Sequence, residues 1–167
     1  GADVHVIDRD GAAAERIAAE IERNAKAAAH QLDVADAAGW VRLADQIAAA
    51  SGGIDVLVNC AGTITQKTLA TMSAAEWDRV IDTNLKGCYL CTRRAAKLMV
   101  KQGGGRIVNI GSGCNKVAFP KLVDYTASKG GIEMFTKVSA VELGPHSITV
   151  NCVAPGAIEV ERTKNEA

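Results

Sequence analysis

The residues of this chain best suited to proton-transfer chemistry are a tyrosine and a lysine four positions apart, Tyr125 and Lys129. Residues at this spacing share one face of a helix, so a helix here would hold the lysine ammonium near the tyrosine phenol. The ammonium stabilises the phenolate form, which lets the phenol accept or donate a proton near neutral pH. Such a pair on its own is more often an ordinary surface contact, so its meaning depends on the elements around it.

The composition excludes several classes of function. The 167 residues are 48% hydrophobic and carry 19 basic and 19 acidic side chains, which predicts one domain over residues 1–167, or part of a larger one. Zero net charge predicts neither a nucleic-acid partner nor an anionic membrane surface. No apolar run approaches the ~18 residues of a membrane span, and the N-terminus lacks the layout of a signal peptide.

The cysteines indicate a reducing compartment. Their number is five, and they are scattered in a chain large enough to fold without disulfides, so we predict a cytoplasmic protein. Cys88 and Cys91 form a C-x-x-C, but no second such pair and no nearby histidine completes four zinc ligands. We interpret both as buried apolar thiols and predict no metal site.

Short apolar segments alternate with longer amphipathic ones along the whole chain. The pattern predicts strands at 3–7, 30–34, 54–58, 106–110 and 148–153, and helices at 11–24, 36–50, 73–81, 85–101 and 124–143. Strands separated by helices need crossover connections, which predicts an α/β fold with a doubly wound parallel sheet covered on both faces. Ligands of such sheets bind at the carboxyl ends of the strands.

The residues that follow the predicted strands fit a dinucleotide. Most of them are small or lie beside a glycine, which lets a flat ligand approach the backbone closely. Asp8 could accept both hydroxyls of an adenosine ribose and would repel a 2′-phosphate, which favours NAD over NADP. Arg9 could instead pair with that phosphate, and Asp8 could equally be a solvated turn acid.

Five segments, in this order, resemble the classical short-chain dehydrogenase/reductase family, whose sheet is Rossmann-like. They are residues 59–62, 82–87, 105–112, 125–129 and 148–156, and Ser112 precedes Tyr125 by the thirteen positions typical of the family. Within the family the chain looks most similar to 3-oxoacyl-carrier-protein reductases and to sugar and polyol dehydrogenases.

The resemblance implies a catalytic tetrad of Asn84, Ser112, Tyr125 and Lys129. Tyr125 would exchange a proton with the substrate oxygen, and Ser112 would hold that oxygen. Lys129 would bind the nicotinamide ribose and assist the tyrosine, while Asn84 would hold a water of a proton relay. Hydride transfer with NAD(H) would then interconvert a secondary alcohol and a ketone.

The resemblance also implies the cofactor contacts. Asp8 would bind the adenosine ribose, and Asp33 and Val34 the adenine ring. The remaining contacts would come from Asn59, Ala61, Gly62, Tyr125, Lys129, Pro155, Gly156 and Ile158. Cys60 replaces the family's common second asparagine, and Val160 stands where a threonine is frequent, which would remove one hydroxyl contact to the cofactor.

Compared with the family, the chain begins at the second strand, without the glycine-rich turn that holds the pyrophosphate. It also ends before the substrate-covering segment. We therefore expect a fold truncated at both ends, with a gap in the sheet between the strands near Asp3 and Ile54. A partial sequence of a complete enzyme is the favoured interpretation, and a non-catalytic fragment that acts only in association is the alternative.

The enzyme alternative is an NADPH-dependent 3-oxoacyl-carrier-protein reductase. Gly103 and His146 stand at the positions that we match to the basic residues holding the acidic carrier, which weakens this alternative. The favoured substrate is a small alcohol or ketone. Helices 85–101 and 124–143 resemble those that assemble family members, which implies a homodimer or homotetramer.

Overall fold

The computed structural model describes residues 1–158, in which strands and helices alternate from end to end. Element bounds are β1 Asp3–Asp8, α1 Gly11–Ile21, β2 Lys26–Gln31, α2 Ala37–Ser51, β3 Val56–Asn59, α3 Ala74–Ile81, α4 Gly87–Gln102, β4 Gly105–Ile110, α5 Val123–Leu143 and β5 Ile148–Val153. A π-helical turn, Asp82–Lys86, joins α3 to α4. The predicted α/β class is confirmed. No helix in this part of the chain has the length and apolar character that crossing a bilayer requires.

The strands of the described residues form two parallel sheets. β1 pairs with β2 from Asp3 and Lys26 to Asp8 and Gln31, while β3, β4 and β5 form the second sheet in that order. A cleft of about 830 Å³ lies between them, with residues of β1 and β3 along its walls. The gap therefore lies between the strands where the sequence predicted it.

The predicted position of the second strand is wrong. The strand is Lys26–Gln31 and not 30–34, because three alanines that are poor strand formers by propensity pair with β1 and pack beneath α1. The chain turns immediately afterwards, where the Asp33 carboxylate accepts the Ala35 N–H at 2.8 Å. Packing against neighbouring elements therefore overrides the apolar pattern of Leu32 and Val34.

The predicted helix starts are confirmed by their caps. Asp36 accepts the N–H groups of Ala38 and Gly39 at the start of α2. Ser73 and Glu76 form a capping box at the start of α3, each side chain accepting the other residue's backbone N–H. These caps set where α2 and α3 begin, and so set the direction in which the chain leaves each strand end.

The main hydrophobic core lies between the three-stranded sheet and helices α2 and α4. Its fully buried members include Met99 and Ala95 of α4 and Ile107 of β4, and the Trp40 indole N–H donates to the Cys91 carbonyl at 3.3 Å. Burial raises the pKa of the Cys91 thiol to about 12 and that of Cys88 to about 11. Both cysteines are therefore inert buried thiols, as the sequence indicated.

Truncating Met99 should destabilise the fold strongly. The side chain has 0% exposure, so Met99→Ala should lower the free energy of unfolding by about 2–5 kcal/mol through lost burial and a cavity. Val100→Ala is the matched control, because its side chain is 39% exposed and its change should stay within ~0.5 kcal/mol. Urea unfolding measures both, and equal losses in the two variants would contradict this placement of the core.

Candidate active site

Helix α5 places Tyr125 and Lys129 one turn apart, at the carboxyl ends of β3 and β4. The Lys129 ammonium lies 5.6 Å from the centroid of the Tyr125 ring, so the juxtaposition predicted from their spacing is present. Lys129 is 4% exposed, and its ammonium donates to the carbonyl of Ile110, the last residue of β4, at 2.6 Å. The strand end thus fixes the ammonium beside the phenol.

The environment of Lys129 is nearly dry. Burial lowers the pKa of its ammonium, and the nearby thiols of Cys60, Cys88 and Cys152 act in the opposite direction. A charge in such a site interacts more strongly with its neighbours than a charge in water does. The ammonium is therefore a buried cation that lies 5.6 Å from the centroid of the Tyr125 ring.

Asn84 connects the loop after β3 to α5. It lies in the π-helical turn with 1% exposure, accepts the Thr63 N–H at 2.7 Å and donates to the Thr63 carbonyl at 2.9 Å. Its amide also donates to the Ser128 hydroxyl at 3.0 Å, and that hydroxyl donates to the Tyr125 carbonyl at 2.7 Å. Asn84 therefore holds the loop against the helix that carries the tyrosine.

Ser128 is a residue of this site that the sequence analysis missed. It is fully buried and links Asn84 to the backbone of Tyr125. Its position three residues after Tyr125 was a usable signal, because residues three apart lie on the same helix face. The residue therefore ties the backbone of Tyr125 to Asn84.

Ser112 lies two residues beyond the end of β4, next to the segment that follows β5. Its side chain is 7% exposed, and its hydroxyl accepts the Cys114 N–H at 3.2 Å. Hydrogen bonds from Gly111 N–H to the Val153 carbonyl and from Gly113 N–H to the Pro155 carbonyl continue the pairing past both strand ends. The predicted residues Ser112 and Pro155 are thereby brought together.

The predicted cofactor residues near β3 border the cleft between the two sheets. Val34, Asn59 and Ala61 all line it. The Asn59 amide, however, turns inward and donates to Thr92 at 2.9 Å and to Asn109 at 2.8 Å. Both N–H groups of the Asn59 side-chain amide are therefore used within the protein and are not left for a ligand.

The two predicted acids both take part in local turns. The Asp8 carboxylate, exposed at the carboxyl end of β1, accepts the Asp10 N–H at 2.9 Å through one oxygen. Asp33 does the same for Ala35. Each retains a second carboxylate oxygen for a ligand, so the turn role and the ribose role of Asp8 are compatible. Ile158 is the last described residue, and Val160 lies outside the described part of the chain.

These residues fit a nicotinamide dinucleotide. The Lys129 ammonium has three N–H groups, and the hydrogen bond to Ile110 uses one of them. A side chain at Gly62 would begin 3.6 Å from the Asn84 oxygen and 3.8 Å from the Lys129 ammonium, so glycine keeps that approach open. A ribose could donate and accept hydrogen bonds there, while Asp8 offers a carboxylate at the end of β1.

The whole chain, residues 1–167, matches the family model described as short chain dehydrogenase. A 3-oxoacyl-acyl-carrier-protein reductase of Synechocystis is 42% identical over 154 residues, which cover 92% of this chain and 62% of that protein. A cyclopentanol dehydrogenase of a Comamonas species is 39% identical over 165 residues, which cover 98% of this chain and 66% of the relative. The chain thus spans less than two thirds of the length of either relative.

A solved structure has the same fold. The structure of an NAD+-bound xylitol dehydrogenase superposes with a TM-score of 0.94 at 26% sequence identity. The superposition covers 99% of this chain and 65% of that one.

Proposed function

The chain belongs to the short-chain dehydrogenase family, and on that premise we propose that it interconverts a secondary alcohol and a ketone with NAD(H). One observation carries the proposal. The buried Lys129 ammonium is fixed by the end of β4 at 5.6 Å from the Tyr125 ring, in a site where Asn84 and Ser128 hold the same helix. A buried cation near a phenol stabilises the phenolate that forms when the phenol gives up its proton.

The residues then act on the substrate oxygen. When bound, the nicotinamide supplies or accepts the hydride. In the direction of reduction, the Tyr125 phenol donates its proton to the carbonyl oxygen, and the Lys129 ammonium stabilises the phenolate left behind. The Ser112 hydroxyl donates a hydrogen bond to the same substrate oxygen and so orients the carbonyl group. Oxidation of an alcohol uses the same groups with the proton moving to Tyr125.

An uncharged substrate is favoured by the loop between Ser112 and Tyr125. This loop exposes Val117 and Phe119, with exposed fractions of 58% and 52%. The neighbouring Lys116 forms an ion pair with Glu133 at 3.0 Å, and Lys137 binds the same carboxylate oxygen at 2.8 Å. Apolar side chains beside the catalytic serine suit the body of a small ketone better than the phosphorylated arm of a carrier protein. The similarity to a cyclopentanol dehydrogenase points in the same direction.

NAD(H) is the proposed cofactor, with NADP(H) as the alternative. The exposed Asp8 carboxylate supports NAD, because it would accept hydrogen bonds from two ribose hydroxyls and repel a phosphate. The NAD+-bound xylitol dehydrogenase of the same fold adds support. The similarity to a 3-oxoacyl-acyl-carrier-protein reductase is the observation that keeps the reductase as second candidate.

Turnover tests the proposal directly. The chain is supplied with NADH and either cyclopentanone or an acetoacetyl thioester, and the loss of NADH absorbance is followed, with NADPH in parallel reactions. Faster turnover of the ketone with NADH supports the proposed function. Turnover of the thioester with NADPH would favour the reductase. Turnover of neither compound with either nucleotide would contradict both of these substrate assignments.

Self-association is proposed from a stripe on α5. Met134, Val138 and Val141 are 57%, 53% and 78% exposed and lie on one face of the helix by their spacing. Contiguous exposed apolar side chains of this kind mark interaction surfaces. We therefore infer a homo-oligomer in which this face of α5 packs against another copy.

Replacing Val141 with glutamate should dissociate the oligomer. A buried unpaired carboxylate at a subunit contact is costly, so Val141→Glu should shift the mass toward the monomer in size-exclusion chromatography with light scattering. Ile17→Glu is the control, since Ile17 is exposed by 47% on α1, on another helix. An unchanged oligomer mass in Val141→Glu would contradict the proposal that this face of α5 forms the subunit contact.

A further inference from the structure

Two histidines and a serine form a hydrogen-bonded chain away from the site described above. His5 Nδ1 lies 2.9 Å from His30 Nε2, which joins β1 to β2. His5 Nε2 lies 3.2 Å from the Ser51 hydroxyl at the end of α2. The three residues are 25 and 46 positions from one another along the chain, so the fold and not local sequence brings them together.

The geometry between the two rings is that of an in-line hydrogen bond. Their centroids are 5.2 Å apart, which equals the distance between the nitrogens plus the two ring radii, and their planes differ by 24°. The rings therefore meet edge to edge, nearly in one plane. His30 Nε2 can accept a hydrogen bond from His5 Nδ1–H, because burial, together with the nearby His5, lowers the pKa of His30 and favours its neutral ring.

From this chain of contacts we propose that Ser51 is a nucleophilic serine, with His5 as its general base and His30 as the group that orients the base. With His5 protonated at Nδ1, its Nε2 lone pair faces the Ser51 hydroxyl. That is the order of nucleophile, base and orienting group found in serine-dependent acyl transfer. The substrates that suit it are small uncharged esters with good leaving groups.

The surroundings favour the charge that forms on His5 during such a reaction. Ser51 is the last residue of α2, and the carboxyl end of a helix stabilises a nearby imidazolium. The Asp3 carboxylate lies close enough for its charge to interact with His5, although it also forms an ion pair with Lys26 at 2.8 Å. The carboxyl end of α2 would therefore support proton transfer from Ser51 to His5.

There is space for an acyl group beside Ser51. The serine lines a cavity of about 420 Å³. The backbone of Gly52 and Gly53 borders this cavity, and their positive φ values of 79° and 156° suit glycine.

The reaction balances without any further reagent. The Ser51 oxygen forms a bond to the ester carbonyl carbon, and its proton moves to His5 Nε2. The bond from that carbon to the alcohol oxygen breaks, and the leaving alcohol takes the proton from His5 Nε2. Water then attacks the acyl-serine with the same base, which releases the carboxylic acid and regenerates the serine.

A fluorophosphonate probe tests the proposal without interference from the five thiols. The probe forms a bond between the serine oxygen and phosphorus and releases fluoride, and peptide mass spectrometry locates the adduct. Ser51 should be labelled at least about tenfold faster than Ser147, since general-base assistance contributes at least that much. Ser147 is an exposed serine beside His146 and serves as the control within the same molecule.

Two variants show whether the histidines act as proposed. His5→Gln should reduce the labelling rate of Ser51 to that of Ser147, and His30→Leu should reduce it by about tenfold and alter its dependence on pH. Circular dichroism spectra establish that each variant is folded. Labelling of Ser51 that is no faster than that of Ser147 in the unmodified chain overturns the proposal, and so does a rate that is unchanged in His5→Gln.

Discussion

Replacing Tyr125 with phenylalanine should lower kcat about 10²–10⁴-fold while leaving the dissociation constant for NADH nearly unchanged. The substitution removes only the phenolic oxygen that exchanges a proton with the substrate. The ring keeps its position beside the Lys129 ammonium, 5.6 Å from the ring centroid. Steady-state rates with the ketone and fluorescence titration with NADH separate the two effects.

Tyr89 provides a matched control for this experiment. It is the other of the chain's two tyrosines, lies on α4 with 43% exposure and packs against the edge of Phe135. Tyr89→Phe removes an oxygen of the same kind from a ring that packs against Phe135 and is assigned no part in the proposed chemistry, so kcat should be unchanged. Full activity in Tyr125→Phe would contradict the role assigned to the phenol.

Replacing Lys129 with methionine should impair both catalysis and cofactor binding. Methionine fills much of the same buried volume but removes the charge and the hydrogen bond to Ile110. Losing a charged donor to the ribose should weaken NADH binding by about 1.5–3 kcal/mol, and kcat should fall because the phenolate loses its stabilising cation. Titration and turnover measured on the same preparation give both values.

The control for Lys129 lies two turns further along α5. Lys137 forms an exposed ion pair with Glu133 at 2.8 Å, and such pairs contribute about 0–1 kcal/mol. Lys137→Met should therefore change neither NADH affinity nor kcat. If Lys129→Met bound NADH as tightly as the unmodified chain, the ammonium would not be a cofactor ligand.

Local signals in the sequence were sufficient for the order of elements and for the helix caps. Asp36 and the pair Ser73 and Glu76 mark helix starts because their side chains bond to backbone only a few residues away. The position of β2 could not be read in this way, since its alanines become a strand only through pairing with β1 and packing under α1. Residue propensity therefore does not predict the position of β2, because tertiary contacts determine it.

The candidate site shows the same division. The nearness of Tyr125 and Lys129 follows from helical spacing alone. The inward turn of the Asn59 amide depends on Thr92 and Asn109, which are 33 and 50 positions away and belong to other elements. The hydrogen bonds that link Ser51 to His5 and His5 to His30 likewise depend on tertiary structure. β1 pairs with β2, and the carboxyl end of α2 lies beside β1. No spacing rule along the sequence anticipates such contacts.

The most direct test of the central claim is a fluorescence titration of the purified chain with NADH, with NADPH in parallel. The proposed site predicts saturable binding of NADH that is about tenfold or more tighter than that of NADPH, because the Asp8 carboxylate would repel the 2′-phosphate at close range. Tighter binding of NADPH would contradict the role of Asp8 and favour the carrier-protein reductase. Absence of binding by either nucleotide would contradict the assignment of these residues to a dinucleotide site.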